Sequence, residues 1–200
     1  ITLQDSAALA NGVHELKVTA TDPAGNVTTP ATVSVTVDVV SPTVAISTDD
    51  NSLTINDTAT IKLTFSETPA ALPTVTPSSG TLGSFAPSAQ NPLEYTATLT
   101  PPGNTATGSI SFAVGGWTDL AGNTGTVSSS TTVSVDTVAP AQPVSDVSAE
   151  SDSGSSNTDN LTRDTTPTIS GSGASAGDTI KLYKPDGKTE LGSVTVPTGG

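Results

Sequence analysis

Thr118-Asp119-Leu120-Ala121-Gly122-Asn123 repeats an earlier stretch, Thr21-Asp22-Pro23-Ala24-Gly25-Asn26, with Asp22 and Asp119 97 residues apart. Asp, Gly and Asn in this order read as a turn: Gly and Asn accept positive φ, and Asp bonds its own backbone. Each copy leads into an alternating run. The first is Ala31-Thr32-Val33-Ser34-Val35-Thr36-Val37, the second Thr131-Thr132-Val133-Ser134-Val135. Each run ends on an aspartate, Asp38 or Asp136, 98 residues apart. Each aspartate precedes a short connection ending in proline, Val39-Val40-Ser41-Pro42 and Thr137-Val138-Ala139-Pro140.

A fixed period of this length marks a tandem array. Its length is that of one immunoglobulin-like sandwich, about 100 residues. The interval is filled with period-two runs that place Thr and Ser on the outer face. Val44 and Ile46 alternate with Thr43, Ala45 and Ser47, and Ile61, Leu63 and Phe65 alternate with Lys62, Thr64 and Ser66. Tyr95, Ala97 and Leu99 alternate with threonines, and Ile110, Phe112 and Val114 form a further run. Residues 69–80 and 101–108 read as Pro/Gly loops. No helix of ten residues is predicted, so the fold class is all-β.

The period divides the chain into three pieces. Residues 1–38 are the last strands of one module, 39–136 a complete module, and 137–200 the opening strands of a third. Connections of four residues with proline cannot act as floppy tethers. They predict modules arranged end to end.

Composition agrees with a thin-cored sandwich. Only 33% of the 200 residues are hydrophobic and 3% aromatic, so the core must rest on Val, Ile and Leu. Alternate burial along strands suits that supply. There is no Cys to staple a small core. Six basic residues face nineteen acidic ones, for a net charge of −13. That field repels nucleic acid and anionic membranes and favours cations. No apolar run approaches the length needed to span a bilayer, so no membrane insertion is expected. The chain shows neither a signal peptide nor a Met and reads as an internal stretch of its parent.

The ordered set of motifs resembles the bacterial Ig-like (BIg) repeat domains of giant type I-secreted adhesins of the repeats-in-toxin type. The matching residues are Phe65-Ser66-Glu67, the two Asp-x-Ala-Gly-Asn turns and Val135-Asp136-Thr137-Val138-Ala139-Pro140. The stretch Ser151 to Thr162 and Thr166-Pro167-Thr168-Ile169-Ser170-Gly171 also match. The resemblance implies a structural stalk at the bacterial cell surface, with neighbouring Ig-like modules as partners and Ca2+ at the junctions as the stiffening ion. Host-cell or surface glycans would be met by other parts of the parent. The Gly-Gly-x-Gly-x-Asp nonapeptides of such adhesins are absent from this chain.

Calcium takes six to eight hard oxygen ligands. In a sandwich of alternating strands, the loops after strands two and six lie at the pole where the chain enters. Glu67 opens the first of these loops, Asp119 lies in the second, and Asp38 sits on the incoming connection. The three are predicted to converge as carboxylate ligands of a junction site. Asn123 either adds its side-chain oxygen or caps the turn. The competing reading of Asp119 and Asn123 is a turn and nothing more. A second candidate is the loop 146–159, with Asp146, Glu150, Asp152 and Asp159. It is too long and polar to bury apolar surface, so it is ordered by an ion or stays disordered. Asp136 is expected to serve the third module as Asp38 serves the second.

Other residues attract functional readings that the pattern does not carry. His14 is the only His and has no second nitrogen or sulfur ligand nearby in sequence. Trp117, Tyr95 and Tyr183 are too few and scattered for a glycan platform, and Trp117 reads as packing over a sandwich edge. No nucleophile elbow or acid–base cluster stands out, and no catalysis is expected. The alternatives to a stalk are an adhesive module that binds a glycan or receptor directly, and an accessory sandwich domain of a secreted hydrolase.

Overall fold

The computed structural model describes residues 7–198. Residues 1–6, which open the first expected piece, and 199–200, which close the third, lie outside the described residues. The chain divides into two compact units, Ile1–Val138 and Ala139–Gly200. All regular structure among the described residues is strand.

The first unit begins with β1 (Gly12–Val18) and β2 (Ala31–Val37), paired antiparallel from Gly12↔Val37 to Val18↔Ala31. The sandwich follows. One sheet carries β3 (Thr43–Thr48), β5 (Ala59–Phe65) and β9 (Glu94–Thr100) side by side. The edge strand β12 (Thr126–Ser129) pairs parallel with β3, and β7 (Thr81–Leu82) and β8 (Ala86–Pro87) both pair with β9. The facing strands are β4 (Ser52–Leu53), β13 (Val133–Val135) and β10 (Gly108–Ile110), joined by the pair β6 (Val75–Pro77) and β11 (Phe112–Val114).

Alternation decides which side chains meet between the layers. In β5, Ala59, Ile61, Leu63 and Phe65 are buried, while Thr60, Lys62 and Thr64 point away. Val44, Ile46 and Leu99 join them from the same sheet, and Leu53, Ile110, Val133 and Val135 from the facing strands. Each such aliphatic side chain contributes about 1.5–3 kcal/mol when fully buried. Trp117 closes the core edge-on to Phe65, with ring centroids 5.0 Å apart. Its indole lies over Gly125, where a Cβ would fall 2.1 Å from the ring.

Three local expectations need correction. The run from Ile110 to Val114 is two strands, because the chain changes partners at Ser111. Ile110 pairs with Val133 and Phe112 with Pro77. The Ser111 N–H donates to Ser78 Oγ at 3.0 Å, and the Ser78 N–H donates to the Ser111 carbonyl at 2.8 Å. Period-two burial survives the switch, which is why the sequence reads as one run. The loop 69–80 contains β6. The run from Thr131 is strand only over Val133–Val135.

The second unit holds two antiparallel pairs. β14 (Val144–Val147) pairs with β15 (Ile169–Ser172), and β16 (Thr179–Tyr183) with β17 (Glu190–Thr195). Ser151 and Asp152 are its only buried described residues.

Candidate metal centre

The Asp119–Asn123 turn is closed from within. A bridge joins Thr118 to Thr124 at its base. Gly122 has φ +93°, a conformation that favours glycine, and its N–H reaches the Asp119 carbonyl. The Asn123 N–H donates to Asp119 Oδ1 and its Nδ2 to Asp119 Oδ2, both at 2.8 Å. The Asp22–Asn26 turn repeats this: the Asn26 N–H donates to Asp22 Oδ1 at 2.9 Å and its Nδ2 to Asp22 Oδ2 at 2.8 Å. Turn chemistry therefore accounts for the motif by itself. What distinguishes the second copy is its surroundings.

A bridge between Pro69 and Asp119, and an Ala70 N–H bond to the Thr118 carbonyl, lay the chain after β5 against the turn. Glu67 enters that segment just after Ser66, whose Oγ accepts the Thr43 N–H at 2.8 Å. Asp38 follows β2, and its Oδ1 accepts the Val40 N–H at 3.0 Å. One carboxylate oxygen each from Asp38, Glu67 and Asp119 lie within 4.8 Å of one another. Asp119 is 2% exposed, and the other two are half-buried.

Among the described residues, no basic side chain forms an ion pair with this group. The ion pairs among the described residues are Lys62–Glu94 and Lys181–Glu190. The Glu67 carboxyl is pushed above its ordinary value, first by burial and then by the negative charges of Asp38 and Asp119. Burial pushes Asp119 the same way. It is outweighed by hydrogen bonds from the Asn123 side chain and backbone and from the Gly122 and Ala121 N–H groups, and Asp119 is held below its ordinary value. The centre thus combines an aspartate fixed as an anion with a glutamate that resists ionising beside it. Carboxylate oxygens without nitrogen or sulfur suit hard divalent cations such as calcium.

Asn123 does more than cap the turn. Its Nδ2 also donates to the backbone carbonyl of Asp38 at 3.1 Å. The N–H of the same peptide group, that of Val39, donates to Asn11 Oδ1 at 3.0 Å. One connecting peptide is therefore gripped by an asparagine on each side. Sequence reading missed Asn11; its only signal is the Asn-Gly pair before β1, which reads as an ordinary turn.

The other expected ligands are placed as follows. Asp136 Oδ1 accepts the Val138 N–H at 3.2 Å, as Asp38 does with Val40. Asp146 lies in β14, and its Oδ1 accepts the Val147 N–H at 3.0 Å. Glu150 and Asp159 are exposed, and Asp159 Oδ1 accepts the Leu161 N–H. Asp152 is buried, and its Oδ2 accepts the Asn160 N–H at 3.2 Å. These five carboxylates do not assemble into a cluster like that of Asp38, Glu67 and Asp119. His14 Nε2 lies 2.7 Å from the carbonyl of Ala10, in the segment just before β1.

Two family models, each described as a bacterial Ig-like domain, match the chain: one over residues 38–135, the other over 1–39 and 139–200. No curated protein matches it.

Proposed function

The chain belongs to the family of bacterial Ig-like domains, and from that premise we propose that it is a stalk segment of a secreted bacterial adhesin, stiffened by calcium where one module meets the next. Such domains support a structural, extending role in a larger surface protein and are typically non-catalytic. The adhesin setting, with export by type I secretion and a place in biofilm or host attachment, is the finer reading carried by the sequence resemblance. The neighbouring modules of the same chain are the partners it requires.

One observation carries the calcium reading. Asp38 belongs to the connection, Glu67 and Asp119 to the sandwich that follows, and their oxygens converge without a cation from the protein. Calcium, when bound, would offset two of the three negative charges that otherwise repel. The residues themselves do the positioning. Asn123 fixes the Asp119 carboxylate and the Asp38 carbonyl together, and Ser66 fixes the chain just before Glu67. A calorimetric calcium titration of the chain and of Asp38→Ala tests this. The expected result is a saturable heat that Asp38→Ala weakens at least tenfold, and a wild-type chain that shows no heat overturns it.

The glycan-platform reading finds no support at Trp117, which is 7% exposed and packed on Phe65.

A further inference from the structure

The sheet of β1 and β2 has no third strand among the described residues. Residues paired across an antiparallel hairpin share a face. The pairs Gly12↔Val37, His14↔Val35, Leu16↔Val33 and Val18↔Ala31 therefore line one side, with His14 its one polar member. Glu15↔Ser34 and Lys17↔Thr32 lie on the other side. No residue of the apolar side is buried, and Val33 is 51% exposed. A two-stranded hairpin in water is marginal unless a further layer covers it.

The unit Ala139–Gly200 has the same deficit, burying no hydrophobic side chain among its described residues. On β16 and β17, Ile180↔Val194 and Leu182↔Gly192 make an apolar side opposite Lys181↔Ser193, and Val194 is 63% exposed. Val147↔Ile169 is a further apolar pair on β14 and β15.

The hairpin and the unit are complementary parts of one fold. In the complete sandwich the Asp119–Asn123 turn precedes the closing strands β12 and β13. The matching Asp22–Asn26 turn precedes β2, so the hairpin carries a module's closing strands. β14 opens after the connection ending in Pro140, as β3 does after the one ending in Pro42, so the unit carries a module's opening strands. One family model matches both segments, which together span about 100 residues, the length of one sandwich. The other model matches the sandwich that lies between them in sequence.

We propose that the hairpin of one copy of this chain lays its Leu16 and Val33 face on the Ile180, Leu182 and Val194 face of a second copy, completing one sandwich from two chains. The inference rests on family membership and on neither the stalk nor the calcium reading. Such a contact joins two different surfaces, so each added copy still offers one hairpin or one unit. Copies then add head to tail instead of closing as a symmetric pair.

Light scattering of the eluting chain from about 0.1 to 100 µM covers the affinities of interfaces of ordinary size. The wild-type mass is expected to rise past that of two chains, in calcium and in chelator alike. Val33→Asp blocks the hairpin and Leu182→Asp blocks the unit. Each variant alone should keep the mass of one chain, and their equimolar mixture should stop at two, because one intact pair of faces remains. That mixture uses only the unaltered half of each variant, so it decides even where a substitution unfolds the half that carries it. A mixture that stays at one chain overturns the proposal. So does either variant forming dimers by itself, which would show like faces pairing. A wild type that keeps the mass of one chain at every concentration overturns it without any variant.

Discussion

Asn123 and Asp38 stand 85 residues apart in sequence, yet the Asn123 Nδ2 donates to the Asp38 carbonyl at 3.1 Å. The same amide group holds the Asp119 carboxylate at 2.8 Å. A turn residue of the sandwich thus sets the distance between the connection and a buried anion. In the otherwise matching Asp22–Asn26 turn, the Asn26 side chain, among the described residues, bonds only within its own turn. The difference marks Asn123 as the residue that converts a turn into a junction.

Asn123→Ala should therefore lower the melting temperature, while Asn26→Ala should do so less. One kcal/mol corresponds to about 2–4 °C in a chain of this size. Hydrogen bonds to charged groups contribute about 1.5–3 kcal/mol, so a fall of several degrees is expected for Asn123→Ala. Equal effects at the two asparagines would show that turn closure alone matters.

Calcium should raise the melting temperature and chelator should lower it. A ligand that binds only the folded state stabilises it by about 2.7 kcal/mol at a hundredfold excess over its dissociation constant. Differential scanning calorimetry in calcium and in chelator measures the shift. An unchanged transition would remove calcium from the account.

Glu67→Gln should change sign with the ion. Burial and the charges of Asp38 and Asp119 raise the Glu67 pKa above its ordinary 4.5. The folded state then holds this proton more tightly than the unfolded state. In chelator, stability falls as pH rises from about 4.5 through the raised folded value, and the penalty persists above it. Asp119 runs oppositely: its contribution is full above the ordinary 3.8 and lost as pH falls through its lowered folded value. At neutral pH, Glu67→Gln should thus melt higher than wild type in chelator and lower in calcium. Thermal melts in both buffers between pH 4 and 8 check the inversion.

Gly125→Ala should destabilise the sandwich even though it adds only a methyl group. The new Cβ would fall 2.1 Å from Trp117 Cε2, inside the indole, so the ring must leave its place against Phe65. Overpacking of this kind costs about 1–3 kcal/mol. Loss of the near-ultraviolet Trp signal together with a lower melting temperature would show it, and an unshifted melt would refute the close stack.

Much of this was readable from residue order. Strand alternation puts Ile61, Leu63 and Phe65 on one face, and the structure buries all three. The strand count behind the expected pole does not match the structure: Glu67 follows β5, the third strand of the sandwich and not the second, and β12 runs parallel to β3. Asp38, Glu67 and Asp119 come together through the Pro69–Asp119 bridge and the Asn123 bond to the Asp38 carbonyl, which no count of strands shows. The partner switch at Ser111 leaves no trace, because inward-facing residues keep period two across it. Asn11 was invisible for a related reason. A side-chain amide bonded to one distant peptide produces no periodicity. The burial of Asp152 was hidden by its neighbours, since Ser, Gly and Asn around it read as exposed loop.

The last prediction separates the asparagine grip from the carboxylate cluster. Asn11 takes the Val39 N–H and Asn123 the Asp38 carbonyl, so the connecting peptide is held by groups that need no ion. Val39 and Val40 are 68% and 51% exposed, so apolar packing of these two valines does not hold the connection. Asp38→Ala removes a carboxylate but keeps both bonds to its peptide. Asn11→Ala keeps the carboxylates but frees the Val39 N–H. Hydrogen exchange at Val39 reads the difference, since each tenfold change in exchange corresponds to about 1.4 kcal/mol of local opening. Asn11→Ala should accelerate Val39 exchange by tenfold or more in calcium and in chelator alike. Asp38→Ala should match wild type in chelator and lose only the extra protection that calcium confers. If Asp38→Ala instead exposes Val39 as fully as Asn11→Ala does, the ion orders this connection and the two asparagines merely follow it.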